Sequence, residues 1–348
     1  MDLQSANFWR SLLAQAAADV PAIRIMEVCG THTNAIAQHH LRKLLPENVK
    51  LISGPGCPVC VSGVLFIEKI RALLRKNITV AMFGDLLRIP GSQGSLMGEK
   101  NLKLVYSPGD ALAFAANNPQ SEVVFAAVGF APTLSATAAL MSECVESKVK
   151  NFSLLCDFKE LTPVLDILIN SRNIDGFLLP GHVASVTGSD YFKNLNVPGV
   201  VAGFEAENIL HSLKILLDAI KKCDQQLLCN NYPQAVRSAG NPVALQLIGE
   251  FFERSTSIWR GLGEVSGGGW QLKSEFDRFN AEQRYDLSGV SARENPACRC
   301  GDVLTGLIEP QACPLFGKRC VPSAPAGACM SSSEGACAAA FNYQEFAL

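Results

Sequence analysis

Over its first 220 residues the chain alternates short apolar runs with segments of helical period. The runs are IRIMEV (23–28), VKLIS (49–53), ITVAMF (78–83), LKLVYS (102–107), EVVFAAV (122–128), FSLLCDF (152–158), IDGFLLP (174–180) and VPGVVAG (197–203). Each has strand length and is rich in Val, Ile, Leu or Phe. Helical patterns follow most of them, over 33–45, 63–76, 132–148 and 205–222. Strands that alternate with helices bury both faces of a parallel sheet through right-handed crossovers, so the fold class is α/β. Eight strands suit two small parallel sheets, with a break at the turn signal Asn117-Asn118-Pro119. Beyond about residue 236 the alternation is lost, and a cysteine-rich tail follows. The expected organisation is one α/β domain over 1–120, a second over 121–235 and a Cys-rich domain over 236–348, with a cleft between the first two.

Composition narrows the function. At 348 residues, 48% of them hydrophobic and 18% charged, the chain can bury a large core and is not disordered. A net charge of −2 without a basic run argues against nucleic-acid binding. No apolar run is long enough to span a bilayer. The N-terminus, MDLQSANFWRSLLAQAAADV, lacks the basic start and apolar centre of a signal peptide, so the cytoplasm is the expected location. In that compartment clustered cysteines read as metal ligands or redox thiols. Four of the thirteen, Cys144, Cys156, Cys223 and Cys229, stand alone in helix-like or strand-like patterns and are expected to be buried small apolar residues.

Ligands bind beyond the carboxyl ends of strands in open α/β sheets. The reactive residues of this chain fall at such ends. The first run leads into Cys29-Gly30-Thr31-His32, the second into Gly54-Pro55-Gly56-Cys57-Pro58-Val59-Cys60, the third into Gly84-Asp85 and the seventh into Gly181-His182. A cleft lined by Cys29, His32, Cys57, Cys60, Asp85 and His182 is expected. The C-x-x-C at 57–60 suits a redox dithiol or a ligand pair. A thioredoxin-like motif would start a helix at its first cysteine, whereas the flanking prolines and glycines point to a rigid loop. A thiolate beside a cation or a helix start would be ready at neutral pH. The Gly-rich turn lacks the Gly-Lys-Ser/Thr ending of a phosphate loop, so no nucleotide site is expected.

The tail reads ENPACRCGDVLTGLIEPQACPLFGKRCVPSAPAGACMSSSEGACAAA and carries Cys298, Cys300, Cys313, Cys320, Cys329 and Cys337. It has few large apolar side chains, so metal or disulfide must supply order. It also lacks the two tight hooks usual in a structural zinc site. A four-iron cluster tolerates looser spacing and leaves two thiols over for an adjacent redox dithiol. Zinc, or buried thiols and a disulfide, are the alternatives.

Together these residues resemble the HypD family of hydrogenase maturation factors. The matching segments are MEVCGTHT (26–33), GPGCPVC (54–60), FGDLLRIPGS (83–92), PGHVASVTG (180–188), VPGVVAGFE (197–205), WRGLG (259–263), ENPACRCGDVLTG (294–306), CPLFGKRC (313–320) and GACMSSSEGAC (327–337). The resemblance implies a scaffold that assembles the Fe(CN)2CO group of nickel–iron hydrogenases. It implies two α/β domains and a third holding one 4Fe-4S cluster, a HypC-like small chaperone as partner, and a HypE-like donor of cyanide. Carried over by motif, Cys29 is the thiolate that holds the transient Fe(CN)2CO unit, with His32, Cys57 and Cys60 lining the same cleft. Cys298, Cys313, Cys320 and Cys337 are the implied cluster ligands, and Cys300 with Cys329 the dithiol. Such a chain is a redox-capable maturation factor rather than a free-standing enzyme. A cluster-containing thiol–disulfide reductase and a zinc-stabilised interaction protein are the rival readings. The chain departs from the family pattern at GFAPTLSATAA (129–139), where an acidic residue and two threonines usually follow Gly-Phe, and around 98–102, which is shortened.

Overall fold

The computed structural model describes residues 2–343. From the N-terminus run α1 (Leu3–Ala17), β1 (Ile23–Glu27), α2 (Gly30–Gln38), β2 (Val49–Ser53), α3 (Pro58–Val61), α4 (Val64–Arg75), β3 (Thr79–Met82), β4 (Leu102–Leu104) and α5 (Pro108–Asn117). Next come β5 (Val123–Gly129), α6 (Ala131–Glu146), β6 (Phe152–Lys159), α7 (Thr162–Arg172), β7 (Gly176–Pro180), α8 (Gly181–Thr187), β8 (Gly199–Ala202), α9 (Ala206–Lys221) and β9 (Leu228–Asn230). The last third holds α10 (Pro242–Phe251), β10 (Phe252–Trp259), β11 (Gly263–Leu272), α11 (Ala281–Tyr285), α12 (Cys300–Leu304), α13 (Ala328–Ser331) and α14 (Ala336–Asn342).

All eight expected strands form, and they build an α/β molecule with two sheets. The first has the order β2-β1-β7-β8-β9 and is wholly parallel. The second has the order β10-β11-β6-β5-β3-β4; β6, β5, β3 and β4 are parallel, β11 pairs antiparallel with β6, and β10 pairs antiparallel with β11 at the edge. Most of the parallel strands are buried on both faces, which is why they read as unbroken apolar runs; β4, at the edge of the second sheet, is the exposed exception. Alternate side chains still part company: Val123, Phe125 and Ala127 join an outer core with α5, α6 and α10, whereas Val124, Ala126 and Val128 face inward. In the first sheet Ile23 and Ile25 pack outward against α1 and α9, and Met26 and Val28 face the same inner core. That inner core is common to both sheets.

The strands do not follow the boundary expected near residue 120. β1 and β2 share a sheet with β7–β9, and β3–β6 share one with β10 and β11. The turn at 117–119 closes α5, but the sheet a strand joins depends on partners far away in sequence. Nor is 236–348 separate, because β10 and β11 extend the second sheet and tail residues Val303, Leu304, Met330 and Ala336 enter the inner core. The hairpin escaped the sequence reading because β10 is an edge strand whose middle, Glu253 to Ile258, is largely solvated. Among the described residues no helix is long and apolar enough to cross a membrane. Of the four isolated cysteines, Cys144 is buried, Cys156 and Cys229 are partly so, and Cys223 is exposed just past the end of α9.

Candidate thiol relay and metal centre

In the first sheet β1 is flanked by β2 on one side and β7 on the other, so the chain direction of sheet growth reverses there. The loops leaving a parallel sheet diverge at such a point and open a crevice. Cys29 is the N-cap residue of α2, directly after β1. The GPGCPVC loop leaves β2 beside it. A Cβ on Gly56 would lie 2.2 Å from the Cys29 nitrogen, so only glycine lets the two loops meet. Beneath them Glu27 is sealed from water; it accepts hydrogen bonds from the Thr33 hydroxyl (2.6 Å) and the Cys29 N–H (3.3 Å). Burial raises its carboxyl to about 7.

His32 is fully buried one turn into α2, and its Nε2 donates to the Gly203 carbonyl at 2.9 Å. Its Nδ1 has no partner. Burial holds the imidazole down at about 4, so it is neutral and Nδ1 carries a free lone pair. Phe204, after β8, lies between His32 at 4.9 Å and His182 at 4.0 Å. Asp85 sits exposed in the turn after β3. Burial, joined by nearby Glu334 and Glu27, pushes the Cys29 thiol up to about 12, although the N–H groups of His32 and Thr31 favour the thiolate. A helix start is therefore present, but desolvation outweighs it.

Cys57 caps α3, its Sγ accepting from the Cys60 N–H at 3.3 Å. A single helical turn thus begins at the first cysteine, where the sequence suggested a loop; Pro58 fits because the first helical position needs no N–H donor. Cys60 is completely buried, in contact with Cys329 and near Cys300. Burial first, then Cys57 and Cys300, push its thiol well above the ordinary range, against the pull of Cys329.

All six tail cysteines line one small cavity with Phe316, Gly327 and Met330. The Cys300 and Cys329 sulfurs are 2.8 Å apart. A Cβ on Gly327 would sit 2.4 Å from the Cys298 sulfur, so this glycine makes room for the thiol. Contact with Cys300, then burial, raise the Cys298 thiol. Cys298 pulls Cys300 down, but Cys329 and burial leave it well above the usual value. Among the described residues no three His, Cys, Asp or Glu side chains converge on one point as ligands of a single ion do. Thiols ringed around an apolar cavity, with one close pair among them, suit a polynuclear cluster with an adjacent dithiol.

The tail reaches the crevice. Glu334 accepts from the Thr31 hydroxyl at 2.9 Å and lies against Gly30, Ser333 O accepts from Asn34 at 3.3 Å, and the Ser332 hydroxyl is 3.3 Å from Cys57 Sγ. Cys57, Cys60, Cys329 and Cys300 thus follow one another, and the loop of Cys29 packs by its backbone on the loop of Cys57; Asp85 lies outside this group. Glu27, Arg260, Ser332 and Glu334 went unnamed in the sequence reading. They stand in MEVCGTHT, WRGLG and GACMSSSEGAC, which was the only signal for them. The unusual GFAPTLS segment starts α6, and its Phe130 packs on Trp259 at 6.0 Å, next to Arg260.

A family model described as "HypD: Hydrogenase formation hypA family" matches residues 5–344. Hydrogenase maturation factor HypD of Escherichia coli is 41% identical over 335 residues, covering 93% of this chain and 90% of that protein. Hydrogenase maturation factor HypD2 of Bradyrhizobium diazoefficiens is 39% identical over 342 residues, covering 93% and 90%. HypD of Cupriavidus necator is 38% identical over 340 residues, covering 92% and 89%.

Proposed function

The chain belongs to the HypD family of hydrogenase maturation factors, and from that premise we propose that it is a scaffold on which the Fe(CN)2CO group of a nickel–iron hydrogenase is assembled. The observation that carries this reading is the contiguity of the thiols: the Cys57–Cys60 turn lies between the Cys29 loop and the Cys300–Cys329 pair. Cys29 holds the incoming iron together with a HypC-like chaperone, since low-spin Fe(II) bearing cyanide and CO favours thiolate donors. The high proton affinity of the buried Cys29 thiol means that iron binding displaces a proton. His32, neutral and with Nδ1 free, is a further nitrogen donor available to the iron, and its low proton affinity means that the displaced proton leaves by another route.

Cyanide arrives as a thiocyanate on a HypE-like donor. Its release is a reduction: the S–C bond breaks, two electrons and one proton are taken up, and a thiol and cyanide leave. The Cys57–Cys60 dithiol supplies both electrons and becomes a disulfide. The Cys329 thiolate then attacks Cys60 Sγ, and Cys57 departs as a thiolate. Cys300 attacks Cys329 and frees Cys60, which leaves the oxidised pair at Cys300–Cys329. Cys298, Cys313, Cys320 and Cys337 would hold a 4Fe-4S cluster, which when bound supplies electrons one at a time.

The test is a Mössbauer spectrum of protein grown on labelled iron and purified without oxygen. The expected spectrum has one diamagnetic four-iron cluster per chain and a low-spin Fe(II) component, the latter lost in Cys29→Ala. That variant should retain the cluster and fail to mature hydrogenase. A folded protein that contains zinc and no iron would overturn the reading.

A further inference from the structure

Arg260 occupies the joint between the two thiol pairs, and its backbone and side chain are committed on every side. Its N–H donates to Val61 O at 2.8 Å, Nε to Cys60 O at 2.9 Å and Nη2 to Ser62 O at 2.8 Å. Nη1 donates to Glu294, which also accepts the Val64 N–H at 3.2 Å. The Arg260 side chain is only 8% exposed. Its neighbours are fixed as well. Trp259 is fully buried, with its indole donating to Gly268 O at 2.7 Å. Gly261 has φ +85° and rests on the backbone of Gly301, the residue after Cys300; a Cβ there would fall 2.4 Å from Gly301 O. One short segment thus grips the Cys57–Cys60 turn with its side chain and the Cys300 helix with its backbone.

We propose that Arg260 is the positioning residue of the relay, a clamp that holds Cys60 within reach of Cys329. The proposal rests on the exchange between those two sulfurs described above. A buried guanidinium unites three acceptors in one plane, which a lysine ammonium cannot do. The clamp therefore depends on the shape of arginine rather than on charge alone. Loosening it lets the Cys57–Cys60 turn drift. Exchange needs a sulfur lined up with the disulfide it attacks, so small displacements cost rate steeply.

The experiment uses the full metal-free chain in a Cys57→Ala/Cys300→Ala background, which leaves Cys60 and Cys329 as the only relay thiols. An azodicarboxamide oxidant takes two electrons and two protons from them, and the Cys60–Cys329 disulfide is timed by alkylation and peptide mass mapping. The disulfide is expected to form at least about tenfold more slowly in both Arg260→Gln and Arg260→Lys. Arg260→Lys should keep a melting temperature close to that of its parent, which separates alignment from folding. Glu294→Gln, at an exposed partner, should slow the reaction more mildly and carries the test if Arg260→Gln does not fold. Wild-type rates in the Arg260 variants, or in Arg260→Lys alone, overturn the clamp. Absence of any Cys60–Cys329 disulfide in the parent background overturns the relay itself, and the clamp with it.

Discussion

His32 and Glu27 are both sealed from water, and burial moves their proton affinities in opposite directions. His32 falls from 6.5 to about 4, so below pH 6.5 the unfolded chain binds a proton that the fold does not, and stability drops as pH falls. Glu27 rises from 4.5 to about 7, so above pH 4.5 the fold keeps a proton that the unfolded chain has lost, and stability drops as pH rises. Each slope is about 1.4 kcal/mol per pH unit inside its window. Between pH 4.5 and 6.5 the two oppose one another. Glu27→Gln removes one of them. Relative to wild type, the metal-free variant should gain about 2–3 kcal/mol of stability between pH 4.5 and 6.5, read from urea unfolding at several pH values. A difference that stays flat would show that Glu27 does not titrate as its burial implies. Neither effect is visible in the sequence: MEVCGTHT contains both residues, but only the closed crevice takes the water from them.

The element that joins the sheets to the tail is the hairpin of β10 and β11. Its last strand residue, Trp259, fills the inner core against Phe130, and its first turn delivers Arg260 and Gly261 to the thiols. Removing the indole leaves a large cavity that the flanking strands cannot close. Trp259→Ala is expected to cost about 3–5 kcal/mol in chemical unfolding. A loss below about 1 kcal/mol would mean that the hairpin end is looser than its packing indicates. Eight of the nine parallel strands were legible as apolar runs, most of them because they are buried on both faces; β9, three partly buried residues long, was not. This hairpin was not, because its solvated edge strand and the glycines at 267–269 erase the period. The one-turn helix after Cys57 was hidden for a related reason: a proline reads as a breaker in sequence, yet stands at the one helical position that suits it.

At the scale of the whole molecule, both sheets and the tail share one inner core. Met26, Ile52, Val61, Leu155 and Leu179 meet Val303, Leu304, Met330 and Ala336 there. The tail is therefore a third wall rather than an appendage, even with its low content of large apolar side chains. A chain ended at residue 290 should expose this surface, bind a hydrophobic dye and lose its cooperative unfolding transition. Cooperative unfolding of that truncated chain would mean instead that the tail is an independent unit. Three polar ties also meet at Glu160, just past β6: it accepts from the Trp270 indole at 2.8 Å and pairs with Arg254 at 2.9 Å within its own sheet, and it accepts from Tyr191, which follows α8.

The sequence by itself determined the α/β class, eight of the eleven strands of the described residues and the inventory of thiols. Periodicity and side-chain chemistry are local properties, written within a few residues of one another. It also supplied the motifs by which the family is known. Tertiary structure alone decided which sheet each strand joins, that Cys60 meets Cys329, and that Arg260 and Glu334 belong to the site. Arg260 and Cys60 lie 200 positions apart, and Thr31 and Glu334 303 apart. No local pattern encodes such meetings. They follow from how the two sheets and the tail close on a common core, and the same closure removes the water that would have kept Glu27, His32 and the thiols ordinary.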